Sequence, residues 1–362
     1  MKEFKNKILI ATGGTGGHVF PAYSLAKHLI INKFCVEIVT DKRGFKYLKN
    51  YKDLKLKLVN SSTVFKKNPL ATFISFFRII FAIISSLIIL LKSKPKIVFG
   101  MGGYSSFPVC IAAKIMRIPF MIYENNLVIG KANKFLLPYA DKLFVSYLEV
   151  EGIKTRHEHK IIEIGNIIRK EIINFKKDNL NNNRSMNILV LGGSQAAKSF
   201  GEILPKIFEK CAKNDIKLKI YQQCLLKQKE ELEKIYKSNN INFELFTFSY
   251  NFLNYFSKVD LAITRAGSSM LAELLNCKVP IISIPFPYAA DNHQFKNAKY
   301  FEQKGYGFLI EEEQINTKLF TLIKDIHADK NLLNQIIEKQ NLYSDKLVFE
   351  KVNKEIKKFI ND

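Results

Sequence analysis

Ile8-Leu9-Ile10-Ala11 feeds Thr12-Gly13-Gly14-Thr15-Gly16-Gly17-His18, and further along Ile188-Leu189-Val190-Leu191 feeds Gly192-Gly193-Ser194-Gln195. Each stretch reads as a buried strand that ends in a glycine turn and opens a helix. Such a turn offers backbone N–H groups and the positive end of a helix dipole, a combination that suits a phosphate. Two such units in one chain predict two similar α/β domains facing each other across a cleft.

The rest of the chain continues that alternation. Strands are expected near 7–12, 35–40, 55–59, 96–100, 119–123, 141–146 and 161–165, and again near 187–192, 217–222, 242–247, 259–264, 279–284 and 306–310. Short apolar runs separated by helix-length segments indicate βα units and parallel sheets. The stretch from Lys176 to Ser185 is polar, Asn-rich and aperiodic, so a linker is expected over 167–185, between domains at 1–166 and 186–344. The last 30 residues read as helix, with apolar positions at Leu342, Leu347, Val348, Val352, Ile356 and Ile360.

A chain of 362 residues can bury two cores, and 47% hydrophobic residues exclude general disorder. The net charge of +23 suggests an anionic partner, whether nucleic acid, acidic lipid or a phosphorylated substrate; a solvated lysine surface is the plain alternative. No short arginine-rich block stands out, which argues against nucleic acid. Five cysteines without C-x-x-C spacing argue against a zinc site and a disulfide framework and fit a reducing, cytoplasmic setting. Residues 1–7 lack a signal-peptide apolar region.

Leu70 to Leu91 carries one charge, Arg78, and matches the ~20 apolar residues that a bilayer span needs. Arg78 lies inside it, and Lys66 and Lys67 before it are balanced by Lys92, Lys94 and Lys96 after it. Strands of one sheet are expected on both sides. The reading favoured is a helix lying in the membrane interface, with the flanking lysines meeting anionic headgroups.

Two phosphate motifs are near misses. Gly192 to Ser199 resembles a P-loop, but Ala197 stands in place of its second glycine; Gly13, Gly14, Gly16 and Gly17 do not reproduce G-x-G-x-x-G, although Asp41 at the end of the second strand could hold a ribose. His18 follows the first glycine turn; a histidine there is a candidate general base, since the unperturbed imidazole titrates near working pH, or it caps its own helix. No Asp-x-Asp pair is present to hold Mg²⁺ or Mn²⁺, so the expectation is a metal-free site. Phosphate charge would be met by backbone N–H groups, Ser194 and a cation such as Arg169. Phe99 to Ser106 forms a third glycine turn, with Gly102, Gly103 and Tyr104 offering an anion or sugar site, and Tyr123-Glu124-Asn125-Asn126 brings polar groups to the same sheet edge. In the second half, Ile263 to Glu273 ends a strand, turns at Gly267 and opens a helix with Ser268 and Ser269. Glu273 lies within two turns, where a carboxylate can accept both ribose hydroxyls or merely complement the dipole. The Pro-rich loop after Ile284 delivers Asp291, His293 and Gln294, which suit sugar hydroxyls.

Seven segments, TGGTGGH, GMGGYSS, YENN, GNIIR, LGGSQ, TRAGSSMLAE and DNHQ, stand in the order seen in the MurG family of bacterial glycosyltransferases, and the resemblance covers nearly the whole chain. It implies a GT-B fold of two Rossmann-like doubly wound parallel-sheet domains, with the C-terminal helix 345–362 returning to the first domain. It implies an inverting N-acetylglucosaminyltransferase that uses UDP-N-acetylglucosamine and lipid I, works without metal or cofactor, and sits peripherally on the cytoplasmic face of the inner membrane. His18 would be the base. Thr15, Gly16 and Gly17 would line the donor phosphates or the acceptor diphosphate, Asn126 would touch the transferred sugar, and Arg169 and Ser194 would meet phosphate. Phe248 and Ser249 would meet uracil; Ser268, Ser269, Met270, Leu271, Ala272 and Glu273 would bind phosphate and ribose, and Gln294 the sugar. Gly102, Gly103, Tyr104 and Glu124 would serve the acceptor. Departures are Tyr123 for a usual histidine, Ala196 for a glycine, which restricts φ/ψ in that turn, and His293 for a glutamine. Related alternatives are a diacylglycerol glycosyltransferase, a UDP-sugar 2-epimerase, or a non-catalytic membrane-bound binding protein.

Overall fold

The computed structural model describes residues 6–60, 69–176, 185–247, 249 and 252–360, with side chains omitted at 69–73 and 193–197. The chain forms two units, one of Met1–Lys170 with Asp345–Asp362 and one of Glu171–Ser344. Residues 177–184 of the expected linker lie outside the described residues.

In the first unit β1 (Lys7–Ala11), β2 (Cys35–Thr40), β3 (Lys55–Leu58), β4 (Ile97–Gly100), β5 (Phe120–Glu124), β6 (Lys142–Val145) and β7 (Ile161–Glu163) form one sheet. Its order is β3-β2-β1-β4-β5-β6-β7 and every pair is parallel, Ile8 of β1 lying opposite Val36 on one side and Ile97 on the other. Ile8, Leu9, Ile10 and Ala11 are fully buried, as a parallel strand covered on both faces must be. The second unit repeats the plan with β8 (Met186–Leu191), β9 (Leu218–Gln223), β10 (Asn242–Phe246), β11 (Leu261–Thr264), β12 (Ile281–Ser283) and β13 (Gly307–Leu309), ordered β10-β9-β8-β11-β12-β13. Each sheet reverses its order beside its first strand, between β1 and β4 and between β8 and β11. Ligands of open α/β sheets bind at that switch point, beyond the carboxyl ends of the strands. Among the described residues all thirteen strands lie where the apolar runs predict them.

The apolar segment is a helix, Pro69–Ser93, long and apolar enough to cross a membrane by length and composition. β1 before it pairs directly with β4 after it, so a span would separate a pair of hydrogen-bonded strands. The helix packs on Ser106–Ile115. Its inward positions are mostly small or polar, with Ser75, Ala82, Ser86 and Ser93 buried beside Leu90, while Phe76, Phe77, Phe81, Ile84, Ile88 and Leu91 are exposed. That polarity is the reverse of a helix that faces water. Ser93 is fixed by the Glu37 carboxylate at 2.5 Å, which also takes Lys57 at 2.8 Å. Lys66 and Lys67 lie outside the described residues.

The last 30 residues are not one helix. Asn331–Asn341 and Val348–Ile360 are helical, while Leu342 is 84% and Leu347 57% exposed in the break between them. Asp345 accounts for the break. Its carboxylate takes the Asn166 backbone N–H at 2.8 Å, and its carbonyl starts the final helix by accepting Val348 N–H at 3.1 Å. A short polar side chain so engaged favours a helix start over a helix interior. The final helix packs in the first unit, where His28 stacks on Phe349 at 4.5 Å and its Nε2 lies 3.1 Å from Asn353 Oδ1.

Candidate active site

At the first switch point the turn after β1 is locked by neighbours. Asp41 Oδ1 accepts the N–H groups of Gly14 at 3.1 Å and Gly44 at 2.8 Å, and Oδ2 takes Arg43 at 3.1 and 3.2 Å. Burial alone would raise this carboxyl; the Gly44 and Gly14 N–H groups and Arg43 outweigh it and hold it below the usual carboxylate range. Asp41 therefore holds the glycine turn, and the ribose role read from its position is corrected: both oxygens are engaged within the protein. Thr12 Oγ1 donates to the His18 carbonyl at 3.0 Å.

His18 lies in the first turn of the Gly16–Ile31 helix, half-buried, its ring against the turn that follows β4. Gly102 has φ +82, and a Cβ there would stand 2.8 Å from His18 Nδ1; at Gly103, φ +75, it would stand 2.9 Å from the Gly13 carbonyl. The two glycine turns thus close on one imidazole, and only residues without a Cβ permit it. A Cβ on Gly13 would in turn strike Ser105 Oγ at 2.2 Å. Ser106 Oγ donates to the Gly103 carbonyl at 2.9 Å, and Tyr104 remains exposed beside them. Thr15 is exposed, and Gly16 and Gly17 are half-buried.

The end of β5 braces this centre. Asn125 Nδ2 donates to the Gly17 carbonyl at 3.2 Å. Glu124 is buried; Oε1 accepts the backbone and side-chain N–H of Asn126 at 3.1 and 3.0 Å, and Oε2 accepts Gly130 N–H at 2.8 Å and Asn133 Nδ2 at 3.0 Å. Glu124 therefore orients Asn126, which is half-exposed. Tyr123 is buried: its hydroxyl lies 2.9 Å from Ser146 Oγ and accepts Ile167 N–H at 3.0 Å. Burial pushes its pKa far up, so it moves no proton; it ties β5 to the segment leading to the half-buried Arg169.

In the second unit the turn after β8 passes directly into the helix Gly193–Ala212, capped by Gly192. Ala196 lies in that helix's first turn, which corrects the expectation of a constrained turn there: helical φ/ψ suits alanine well. The Ser194 side chain lies outside the description. After β11, Gly267 caps the helix Ser268–Asn276, accepting Met270 and Leu271 N–H at 3.1 Å. Gly267 has φ −71, and a Cβ there would meet nothing within 4 Å. Ser268 and Glu273 are buried, Ser269 and Met270 half-buried. Leu271 and Ala272 turn wholly into the core, which leaves only their backbone for any contact with a ligand. Arg265, unremarked as a structural residue in the sequence, is a buried cation. It pairs with Glu312, donates to the Ile284 and Pro285 carbonyls, and lies over Phe200 at 4.6 Å. It fixes the Pro-rich loop, whose Phe286 N–H donates to Gln294 Oε1 at 2.9 Å. Asp291 and Asn292 are both left-handed, which puts His293 at the head of a helix with Nδ1 2.7 Å from the Ala290 carbonyl. Ser249 is half-buried, and Phe248 lies outside the described residues.

Asn125, Asp41 and Arg265 escaped sequence reasoning as positioning residues. Each was visible only as a polar residue near a strand end, and its partner is set by tertiary contact.

Residues 8–145 match the glycosyltransferase family 28 N-terminal domain and residues 187–353 the glycosyltransferase family 28 C-terminal domain. A protein of Pelagibacter ubique (strain HTCC1062), UDP-N-acetylglucosamine--N-acetylmuramyl-(pentapeptide) pyrophosphoryl-undecaprenol N-acetylglucosamine transferase, is 39% identical over 336 residues, covering 93% of each chain. Its namesake in Rickettsia bellii (strain RML369-C) is 34% identical over 352 residues, covering 93% of this chain and 98% of its own. The crystal structure of Acinetobacter baumannii MurG shares the fold with a TM-score of 0.78 at 24% identity, over 98% of this chain and 99% of that one.

Proposed function

The chain belongs to the MurG family of N-acetylglucosaminyltransferases, and we propose that it moves N-acetylglucosamine from UDP to the 4-hydroxyl of undecaprenyl-pyrophosphoryl-N-acetylmuramoyl-pentapeptide, lipid I, yielding lipid II for peptidoglycan. The observation that carries the assignment of roles is the His18 ring packed on Gly102 and Gly103 at the first switch point.

His18 takes the proton of the attacking hydroxyl as the oxygen bonds to the anomeric carbon. Oxocarbenium-like charge develops there, the bond to the β-phosphate oxygen breaks, and UDP leaves with inversion. Gly102, Gly103 and Tyr104 line the acceptor side, with Glu124 acting through Asn126, which touches the transferred sugar. Thr15, Gly16 and Gly17 meet a phosphate of donor or acceptor. In the second unit Ser268, Ser269, Met270 and the backbone of Leu271 and Ala272 meet the donor phosphates, Glu273 the ribose, Ser249 the base and Gln294 the sugar. The helix ends at Gly192 and Gly267, with Ser194 and Arg169, stabilise the departing pyrophosphate without metal. Open space before Gly267 supports the approach of a phosphate there.

The outward aromatic and aliphatic residues of Pro69–Ser93, with Lys92, Lys94 and Lys96 at its end, support peripheral docking on anionic lipid at the cytoplasmic face of the inner membrane.

The test is UDP release from UDP-N-acetylglucosamine and a lipid I analogue in EDTA. Turnover is expected only with both substrates, and its absence overturns the reading. Turnover of donor alone would indicate an epimerase instead. His18→Ala should lower kcat ~10²–10⁴-fold with little change in donor KM; full activity would remove His18 as the base.

A further inference from the structure

Beside the first glycine turn lies a cavity of about 640 Å³ that none of the roles above uses. It is lined by Asp41, Lys42, Arg43, Arg78 and Phe81, with Val59, Asn60, Ala82 and Ser85 completing the wall. Its volume is that of a small-molecule site. Its field is cationic: three basic side chains face one carboxylate, and both oxygens of that carboxylate are already engaged by Gly14, Gly44 and Arg43.

Arg43 is not a loose surface cation. Its Nε and Nη2 are tied to Asp41 Oδ2, which orients the guanidinium and leaves Nη1 unengaged by Asp41. It stands against the glycine turn itself, where a Cβ on Gly14 would lie 3.7 Å from Nη2. Arg78 comes from the opposite wall. It is exposed on the Pro69–Ser93 helix, and among the described residues it makes no hydrogen bond or ion pair. Phe81 is 68% exposed and continues the outward face through Phe77 and Ile84, so one side of the cavity is polar and cationic and the other opens onto an apolar surface.

Guanidinium groups suit phosphate because their planar donors match its oxygens in pairs. We infer that Arg43 and Arg78 form an anion subsite for the pyrophosphate of a polyprenyl-linked substrate, the prenyl chain leaving over Phe81. The subsite rests on the lipid acceptor proposed above. It places the acceptor's charged group beside, and not within, the Gly14 turn. Asp41 joins the two, holding the turn with one oxygen and the cation with the other.

The test uses the full chain with geranyl pyrophosphate, inorganic pyrophosphate and phosphatidylglycerol vesicles as probes. By calorimetry, Arg78→Gln and Arg43→Gln should each weaken geranyl pyrophosphate at least about tenfold, the usual cost of a lost charge-assisted hydrogen bond. Phe81→Ser should weaken geranyl pyrophosphate and leave inorganic pyrophosphate unchanged. Sedimentation with vesicles should change less than about twofold in Arg78→Gln, as expected for one cation among many. Arg78→Gln disturbs no described polar contact, so it reads the subsite even if Arg43→Gln loosens Asp41. Unchanged geranyl pyrophosphate binding in both arginine variants overturns the subsite, as does an equal loss of vesicle binding, which would assign the arginines to bulk lipid. Binding needs no turnover. An inactive wild type with arginine-dependent binding would sink the transferase reading alone, and active variants with unchanged binding would sink the subsite alone.

Discussion

At the switch point between β1 and β4 the protein fills the space that its glycines leave; at the one between β8 and β11 it leaves that space open. A Cβ on Gly102 would meet the His18 ring and one on Gly13 would meet Ser105, whereas one on Gly267 would meet nothing. The two turns look alike as sequence and do different work. In the first, missing side chains let two turns close on an imidazole and fix its position. In the second, the missing side chain serves no packing need, and what it leaves is access to a helix N-terminus.

Gly102→Ala should break the first arrangement with the largest effect. The new methyl needs a left-handed alanine, about 1–2 kcal/mol, and displaces the ring. A fall in kcat of about 10²-fold is expected, with donor KM within about twofold, because a misplaced base costs rate and not donor affinity. Steady-state kinetics with varied donor checks this; an unaltered kcat would mean that the ring's position does not matter.

Gly267→Ala should give the opposite pattern at smaller scale. φ is −71 and no atom lies within 4 Å of the new carbon, so melting should be unchanged within ~0.5 kcal/mol. The donor KM should rise about tenfold with kcat nearly constant, as for loss of uniform binding. An unchanged KM would separate that open space from the donor.

Much of this contrast lay beyond sequence reasoning. Buried parallel strands announce themselves as short apolar runs, so the thirteen strands and the two glycine turns were legible. Which glycine packs and which gives access was not, because His18 and Gly102 meet only through the pairing of β1 with β4. Tyr123 read as a lost histidine, and burial together with the Ile167 N–H makes it a brace. Three serines of Pro69–Ser93, Ser75, Ser86 and Ser93, belong to its inward face, which the apolar run alone did not reveal. The final helix was overextended because Leu342 and Leu347 fit a helical period, while Asp345 was already committed to Asn166.

A last difference between the units is that the first is built from two chain segments and the second from one. The joint can be weakened by pH. His28, on the helix whose first turn holds His18, is buried against Phe349 and Asn353 of the final helix. Burial lowers its pKa, the Asn353 hydrogen bond opposes this, and Lys170 adds to the lowering. The unfolded chain therefore takes up the proton more readily than the folded one. The stability contributed is present above the ordinary histidine pKa near 6.5 and is lost as pH falls through the lower folded value. The lowered carboxylates Asp41 and Glu37 act in the same direction, but only in their own, more acidic range. Between pH 7.5 and 5.5 the melting temperature of the parent should drop about 1–3 °C further than that of His28→Gln, in the direction that the lowered value in the folded protein sets. Equal slopes in the two proteins would show that the final helix stays docked whatever the charge on His28.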